Sequence, residues 1–202
     1  MNRREMLGRC AAAGILLGAS NIVRLDRAWA AAGRRPTSAC ELGPFYKRNA
    51  PSQSKLRTDR DPGMPLVLVG AIFNTSGALV PDATIELWHA SHTGLYDLSG
   101  DRFRATLKVG EKARYAVDTV IPGHYPGRVA QHVHYLVRAP GYRPLVTQMY
   151  FSTDPAFDGQ PAKNFTRDPL ITSAELVRPV TISGDPDRPI ANVSFDLVLE
   201  RA

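Results

Sequence analysis

Three of the five histidines in this 202-residue chain, with two of its seven tyrosines, fall in the run His124-Tyr125-Pro126-Gly127-Arg128-Val129-Ala130-Gln131-His132-Val133-His134-Tyr135. In an extended strand, side chains alternate between faces, so His132 and His134 point the same way, about 7 Å apart, while Val133 and Tyr135 face the other side. Two imidazoles so placed can close on one cation. The spacing alone leaves a second reading open, a pair of hydrogen-bonded structural imidazoles. Other metal chemistries fit less well. A His-x-His-x-Asp-His metallohydrolase needs Asp and His beyond the pair, where Leu136 and Val137 stand. His89 and His92 straddle the end of a predicted strand and need not converge. There is no cysteine pair for a structural zinc and no His–Cys–Met trio for copper electron transfer.

The elements that must position these groups read as strands and turns. Leu66–Phe73, Ala83–His89, Arg114–Val120, Gln131–Arg138, Leu145–Phe151, Val177–Ile182 and Asn192–Leu199 are short runs rich in β-branched and aromatic residues. Turns such as Asn74-Thr75-Ser76-Gly77, Pro122-Gly123 and Pro140-Gly141 punctuate them. No long stretch has a 3.6-residue period. The expected fold is all-β, an antiparallel sandwich of seven or eight strands in a single domain over residues 63–202. Residues 152–175 read as a long loop with at most a helical turn near Ser173. Residues 31–62 read as an extended arm that packs on the domain through Phe45 and Tyr46.

Residues 1–30 are a different kind of sequence. A basic start with adjacent Arg3 and Arg4 is followed by an apolar run, Cys10–Val23, and by Ala28-Trp29-Ala30. That order is a secretory signal, and the arginine pair gives it the twin-arginine character of proteins exported already folded. The apolar run is too short to span a bilayer, so no membrane span is expected in the mature form. Residues 1–30 carry five Arg against one Glu and one Asp, so without them the formal charge falls from +6 to +3. No long Lys/Arg run remains to bind nucleic acid. Cys40 is left without an intrachain partner, so no disulfide framework is expected.

Five motifs in order carry a resemblance: Gly43-Pro44-Phe45-Tyr46; Glu86-Leu87-Trp88-His89-Ala90 with Gly94-Leu95-Tyr96; Pro122-Gly123-His124-Tyr125-Pro126-Gly127-Arg128; His132-Val133-His134; and Val146-Thr147-Gln148-Met149-Tyr150-Phe151. Together they resemble the intradiol ring-cleavage dioxygenases, with a likeness to the β-chain of protocatechuate 3,4-dioxygenase. The chain is expected to be a short form, without the helical N-terminal segment of catechol 1,2-dioxygenases.

The resemblance implies one mononuclear non-haem Fe(III) held by Tyr96, Tyr125, His132 and His134. It implies a catecholic substrate that binds through both oxygens and displaces Tyr125, reaction with O2, and a muconate-type diacid as product. Gln148 and Arg128 would stabilise developing charge on the ring. Phenolate is a hard anion, and a trivalent cation can lower the phenol pKa enough for it to bind deprotonated.

One spacing departs from the family. Arg128 lies four residues before His132, where relatives place an arginine three before, and a one-residue shift in a strand reverses side-chain direction. Either a bulge absorbs the step or Arg128 points elsewhere. Two non-enzymatic readings compete: an exported sandwich that binds or carries a ligand without redox metal, and a structural domain that assembles through the Phe45/Tyr46 arm, possible homo-oligomers included.

Overall fold

The computed structural model describes residues 33–202; the expected export signal lies outside them. Ten strands form two sheets. In chain order they are β1 (Pro65–Asn74), β2 (Thr84–Trp88), β3 (Arg104–Lys108), β4 (Arg114–Val120), β5 (His132–Arg138), β6 (Leu145–Phe151), β7 (Val177–Arg178), β8 (Thr181–Asp185), β9 (Arg188–Ser194) and β10 (Leu197–Leu199). The first sheet is built on β1, which pairs with β4 and with both β9 and β10, while β8 joins β9. The second runs β3-β2-β5-β6-β7.

The core is the layer between the two sheets. Leu66, Leu68, Val117 and Val193 from the first meet Ile85, Leu87, Val133, Tyr135 and Met149 from the second in one buried cluster. Alternation assigns the faces: on β5, Val133, Tyr135 and Val137 enter this cluster, so His132 and His134 lie on the opposite, outward face of the second sheet.

The sandwich forms as expected, and most pairings are antiparallel. Three are not: β1 runs parallel to β9 and to β10, and β6 runs parallel to β7. The run expected as one strand from Asn192 to Leu199 is divided because the Asp196 carboxylate takes the Ala71 N–H, at 3.0 Å, and the Tyr115 hydroxyl donates to the Phe195 carbonyl. The run from Val177 to Ile182 divides at Pro179, which has no N–H to give a ladder; β7 stays in the second sheet and β8 enters the first. Strand β3 falls where no strand was expected, although Ala105 and Leu107 alternate inward along it.

The segment from 152 to 176 is a loop with short turns: 3-10 turns at Pro155–Phe157, Phe165–Arg167 and Ala174–Leu176, and the helix α1 (Pro161–Asn164). Ser173 caps the last turn by accepting the Glu175 N–H. Among the described residues no helix is long and apolar enough to cross a membrane.

Candidate metal centre and its substrate face

The outward face of β5 is buried, which is unusual for the solvent side of a sandwich. His132 and His134 are 4% and 2% exposed. Register sets their neighbours: Trp88 and Gln148 flank His134, and Tyr150 flanks His132. The imidazoles lean together, with ring centres 4.8 Å apart. Trp88 stacks on His134 at 4.8 Å with the planes 4° apart, which fixes the plane of that imidazole.

His132 donates from Nδ1 to the Ala130 carbonyl at 2.9 Å, so Nε2 carries the lone pair, which accepts from the Tyr96 hydroxyl. His134 makes no side-chain hydrogen bond among the described residues, and its Nδ1 is wholly buried. Burial, with the Arg128 guanidinium nearby, holds His132 neutral down to about pH 4. Burial first, then the neighbouring His132, holds His134 well below the ordinary value. Both imidazoles are therefore uncharged at neutral pH and able to act as ligands.

Two loops bring the tyrosines to this pair. Tyr96 Oη lies 3.4 Å from His132 Nε2, a separation that two ligands of one ion can span. Its ring is 5.5 Å from that of Tyr125, and the Tyr125 ring is 5.7 Å from His132. Burial pushes the Tyr96 hydroxyl above its ordinary range, so without a cation it stays protonated. The loops meet backbone to backbone: Gly94 and Gly123 both donate their N–H groups to the Ser91 carbonyl. Gly94 has φ +82°, and a Cβ there would lie 1.8 Å from the His124 carbonyl oxygen, so only glycine allows this crossing.

The arm closes the face from above. Phe45 stacks on Tyr96 at 4.2 Å and meets Tyr125 edge-on. Tyr46 packs on Trp88 and donates to Glu86, which also holds Arg138. Gly43, at φ +75°, lies so close to His134 that a Cβ would stand 3.0 Å from Cε1. The buried Arg104 guanidinium ties arm to loop by donating to the Phe45 and Asp97 carbonyls.

Arg128 reaches this face. Strand β5 begins only at His132, and none of residues 126–131 is in a strand, so strand parity does not govern Arg128. Its Nη2 donates to Gln148 Oε1 at 3.1 Å and to the Tyr150 hydroxyl at 3.0 Å, and its Nε to Asp168 at 3.2 Å. Gln148 is held in turn by donating to the Glu41 carbonyl.

Sequence reading missed several groups here. Trp88 and Tyr150 were legible as the strand partners of His134 and His132 once register was known. Asp154 and Asp168 had only the weak signal of an Asp-Pro step at each, yet both are buried to 1%. Asp154 accepts from His124 Nε2 at 3.0 Å and from the Gln131 N–H at 2.6 Å. His89 is structural: its ring nitrogens are paired with the Ala90 carbonyl and the Thr119 hydroxyl. His92 is exposed.

Among the described residues no three His, Cys, Asp or Glu side chains gather as ligands. Any metal on this pair must therefore be completed by other donors, and the groups that converge on it are phenols. Two neutral imidazoles and two phenols fit a hard trivalent ion better than zinc, since phenolate is a hard oxygen donor.

A family model described as Dioxygenase matches residues 42–201. The chain belongs to the intradiol ring-cleavage dioxygenases. It is 31% identical to the catechol 1,2-dioxygenase of Acinetobacter baylyi, over 89% of this chain and 67% of that one. It is 31% identical to the hydroxyquinol 1,2-dioxygenase of Nocardioides simplex, over 82% of this chain and 65% of that one. It spans between 58% and 67% of the length of these and the neighbouring curated relatives. Among solved structures, the dioxygenase domain of a dioxygenase and carbohydrate-binding protein fusion from the cellulolytic bacterium Streptomyces sp. SirexAA-E is similar with a TM-score of 0.71 and 30% identity, covering 83% of this chain and 100% of that one. The catechol 1,2-dioxygenase of Acinetobacter radioresistens gives 0.71 at 25% identity, covering 95% and 71%.

Gly94→Ala should disrupt the loop crossing: left-handed strain of about 1–2 kcal/mol and overlap with the His124 carbonyl of about 1–3 kcal/mol would lower the thermal midpoint. A midpoint equal to that of the unmodified protein would show that the loops can part at no cost.

The buried imidazoles also set a pH dependence. Burial lowers His89 and His132 from 6.5 to about 4, so below pH 6.5 the unfolded chain binds protons that the native chain refuses. Stability of the metal-free protein is full above that pH and falls as pH drops towards 4, by at most about 3 kcal/mol per imidazole. Urea unfolding at pH 7 and pH 4.5 measures it.

Proposed function

We propose that the chain is a non-haem Fe(III) dioxygenase that cleaves a catechol-type ring between its two hydroxylated carbons with O2 and releases a muconate-type diacid. The observation that supports this most is the convergence of Tyr96 and Tyr125 on two buried, uncharged imidazoles. Family membership agrees with it.

Tyr96, Tyr125, His132 and His134 would hold the ion. When bound, a ferric ion supplies Lewis acidity that keeps both phenols ionised and eases deprotonation of the catechol hydroxyls. Tyr125 would serve as a base, its Oη taking one proton from a catechol hydroxyl. The side chain has no hydrogen bond of its own among the described residues, and it opens a turn through Pro126 and the left-handed Gly127 that the Arg128 N–H closes onto the Tyr125 carbonyl. Trp88 keeps the His134 plane fixed while Tyr125 moves. Arg128 and Gln148 lie beside the imidazoles and supply positive charge and an amide dipole to a ring that gains negative charge. The arm, through Gly43 and Phe45, excludes water from the ligands.

Iron-loaded protein should be reddish from phenolate-to-iron charge transfer and should convert catechol and O2 to a diacid. Tyr96→Phe should lose the greater part of both the colour and the turnover. A colourless protein holding stoichiometric zinc would sink the reading.

We also infer export through residues 1–30, on the adjacent Arg3 and Arg4 and the apolar run behind them. Replacing both arginines by lysine should leave the protein in the cytoplasm, as followed by cell fractionation; continued export would argue against a twin-arginine route.

A further inference from the structure

Asp168 is a fully enclosed carboxylate at the end of the helical turns, 1% exposed. Its Oδ2 accepts from Arg128 Nε at 3.2 Å and from the Ala130 N–H at 3.1 Å, and its Oδ1 from the Leu170 N–H at 3.0 Å. One side chain therefore holds both the guanidinium and the backbone two residues further on. That is the stretch where the spacing between arginine and first histidine is one residue longer than the family pattern. The other side of the guanidinium is held through Nη2 by Gln148 and Tyr150. Nη1 has no protein partner among the described residues, so its two donors remain for something else.

We propose that Asp168 is the positioning residue of Arg128, fixing the guanidinium across the lengthened loop with Nη1 free to meet a bound catechol. The proposal rests on the ring-cleavage reading for what Arg128 does, but not for how it is held. Three donors converge on the two oxygens, and only a carboxylate accepts from all three while also neutralising a buried cation. Asparagine has one acceptor oxygen, so its amide nitrogen would face either Leu170 N–H or the Arg128 and Ala130 donors. Arg128 would lose its charge partner and the geometry it imposes.

In the iron-loaded enzyme, Asp168→Asn should lower kcat for catechol about 10–100-fold, with iron content and colour retained and KM little changed. Arg128→Gln should do the same. The double variant should be no slower than Arg128→Gln alone, because a residue that acts through another adds nothing once that other is gone. Losses that multiply, or an undiminished kcat in either single variant, would overturn the proposal.

A second measurement needs neither metal nor turnover. In the nitrogen NMR spectrum of metal-free protein the Arg128 Nε–H should exchange slowly, and it should exchange quickly in Asp168→Asn. Rapid exchange in the unmodified protein would refute the contact even if the variant fails to fold. Slow exchange that is lost in the variant, in a protein that neither colours with iron nor opens catechol, would uphold the positioning role and remove the ring-cleavage reading instead.

Discussion

His134 is stacked on Trp88 and lidded by Gly43, with Nδ1 wholly buried and neither ring nitrogen given a hydrogen bond by the described residues. A buried polar group left this way costs about 1–3 kcal/mol, a cost that a metal ion held by the ring would offset on the proposed reading. The surroundings push the same way. Burial and the adjacent His132, with Arg128 and Arg104 further off, all disfavour the protonated ring, so the imidazole stays neutral and able to act as a ligand. The outer face of this sheet, ordinarily the wet side of a sandwich, had to be covered for that to hold. The arm, the Tyr96 loop and the Tyr125 loop are the cover.

The cover is firm at its edges and loose at one place. Asp154 and Asp168 each take a backbone N–H from the end of the Tyr125 loop, at Gln131 and Ala130, and a basic side chain from earlier in it, His124 and Arg128. Between these anchors Tyr125, Pro126 and Gly127 carry no side-chain hydrogen bond among the described residues. On the proposed reading, the tyrosine that gives way to substrate sits in the part of this loop between the two anchors, with its hydroxyl unbonded by the described residues. Tyr96 has the opposite setting, gripped between Phe45 and the loop crossing at Gly94.

Much of this was legible in the chain. His-x-His on a strand gave the shared face, and the alternation of Val133, Tyr135 and Val137 gave its opposite. Phe45 and Tyr46 stood out as an apolar pair in a polar arm, and they pack where an anchoring arm should. What could not be read depends on tertiary context. Local pattern cannot say that Asp196 replaces a ladder bond and divides the last strand, or that Pro179 passes the chain from one sheet to the other. The direction of Arg128 was undecidable from spacing, because parity arguments hold only inside a strand and β5 starts later than the hydrophobic pattern implied. Asp154 and Asp168 look like turn residues in sequence, since a buried carboxylate is recognised by the donors around it, and those from the Tyr125 loop lie 23 to 40 residues away.

The walls of the centre come from the arm near 43, the loop at 96, the turn at 125–128, the strand at 148 and the segment at 168. Taken without the arm and loops, His132 and His134 on their strand would be a bare two-nitrogen claw. Such a claw ranks divalent ions by intrinsic affinity, and copper or zinc would outbid iron for it. On the proposed reading, preference for a hard trivalent ion comes from the phenols of Tyr96 and Tyr125, so metal choice would belong to the assembled arm and loops and not to the strand alone.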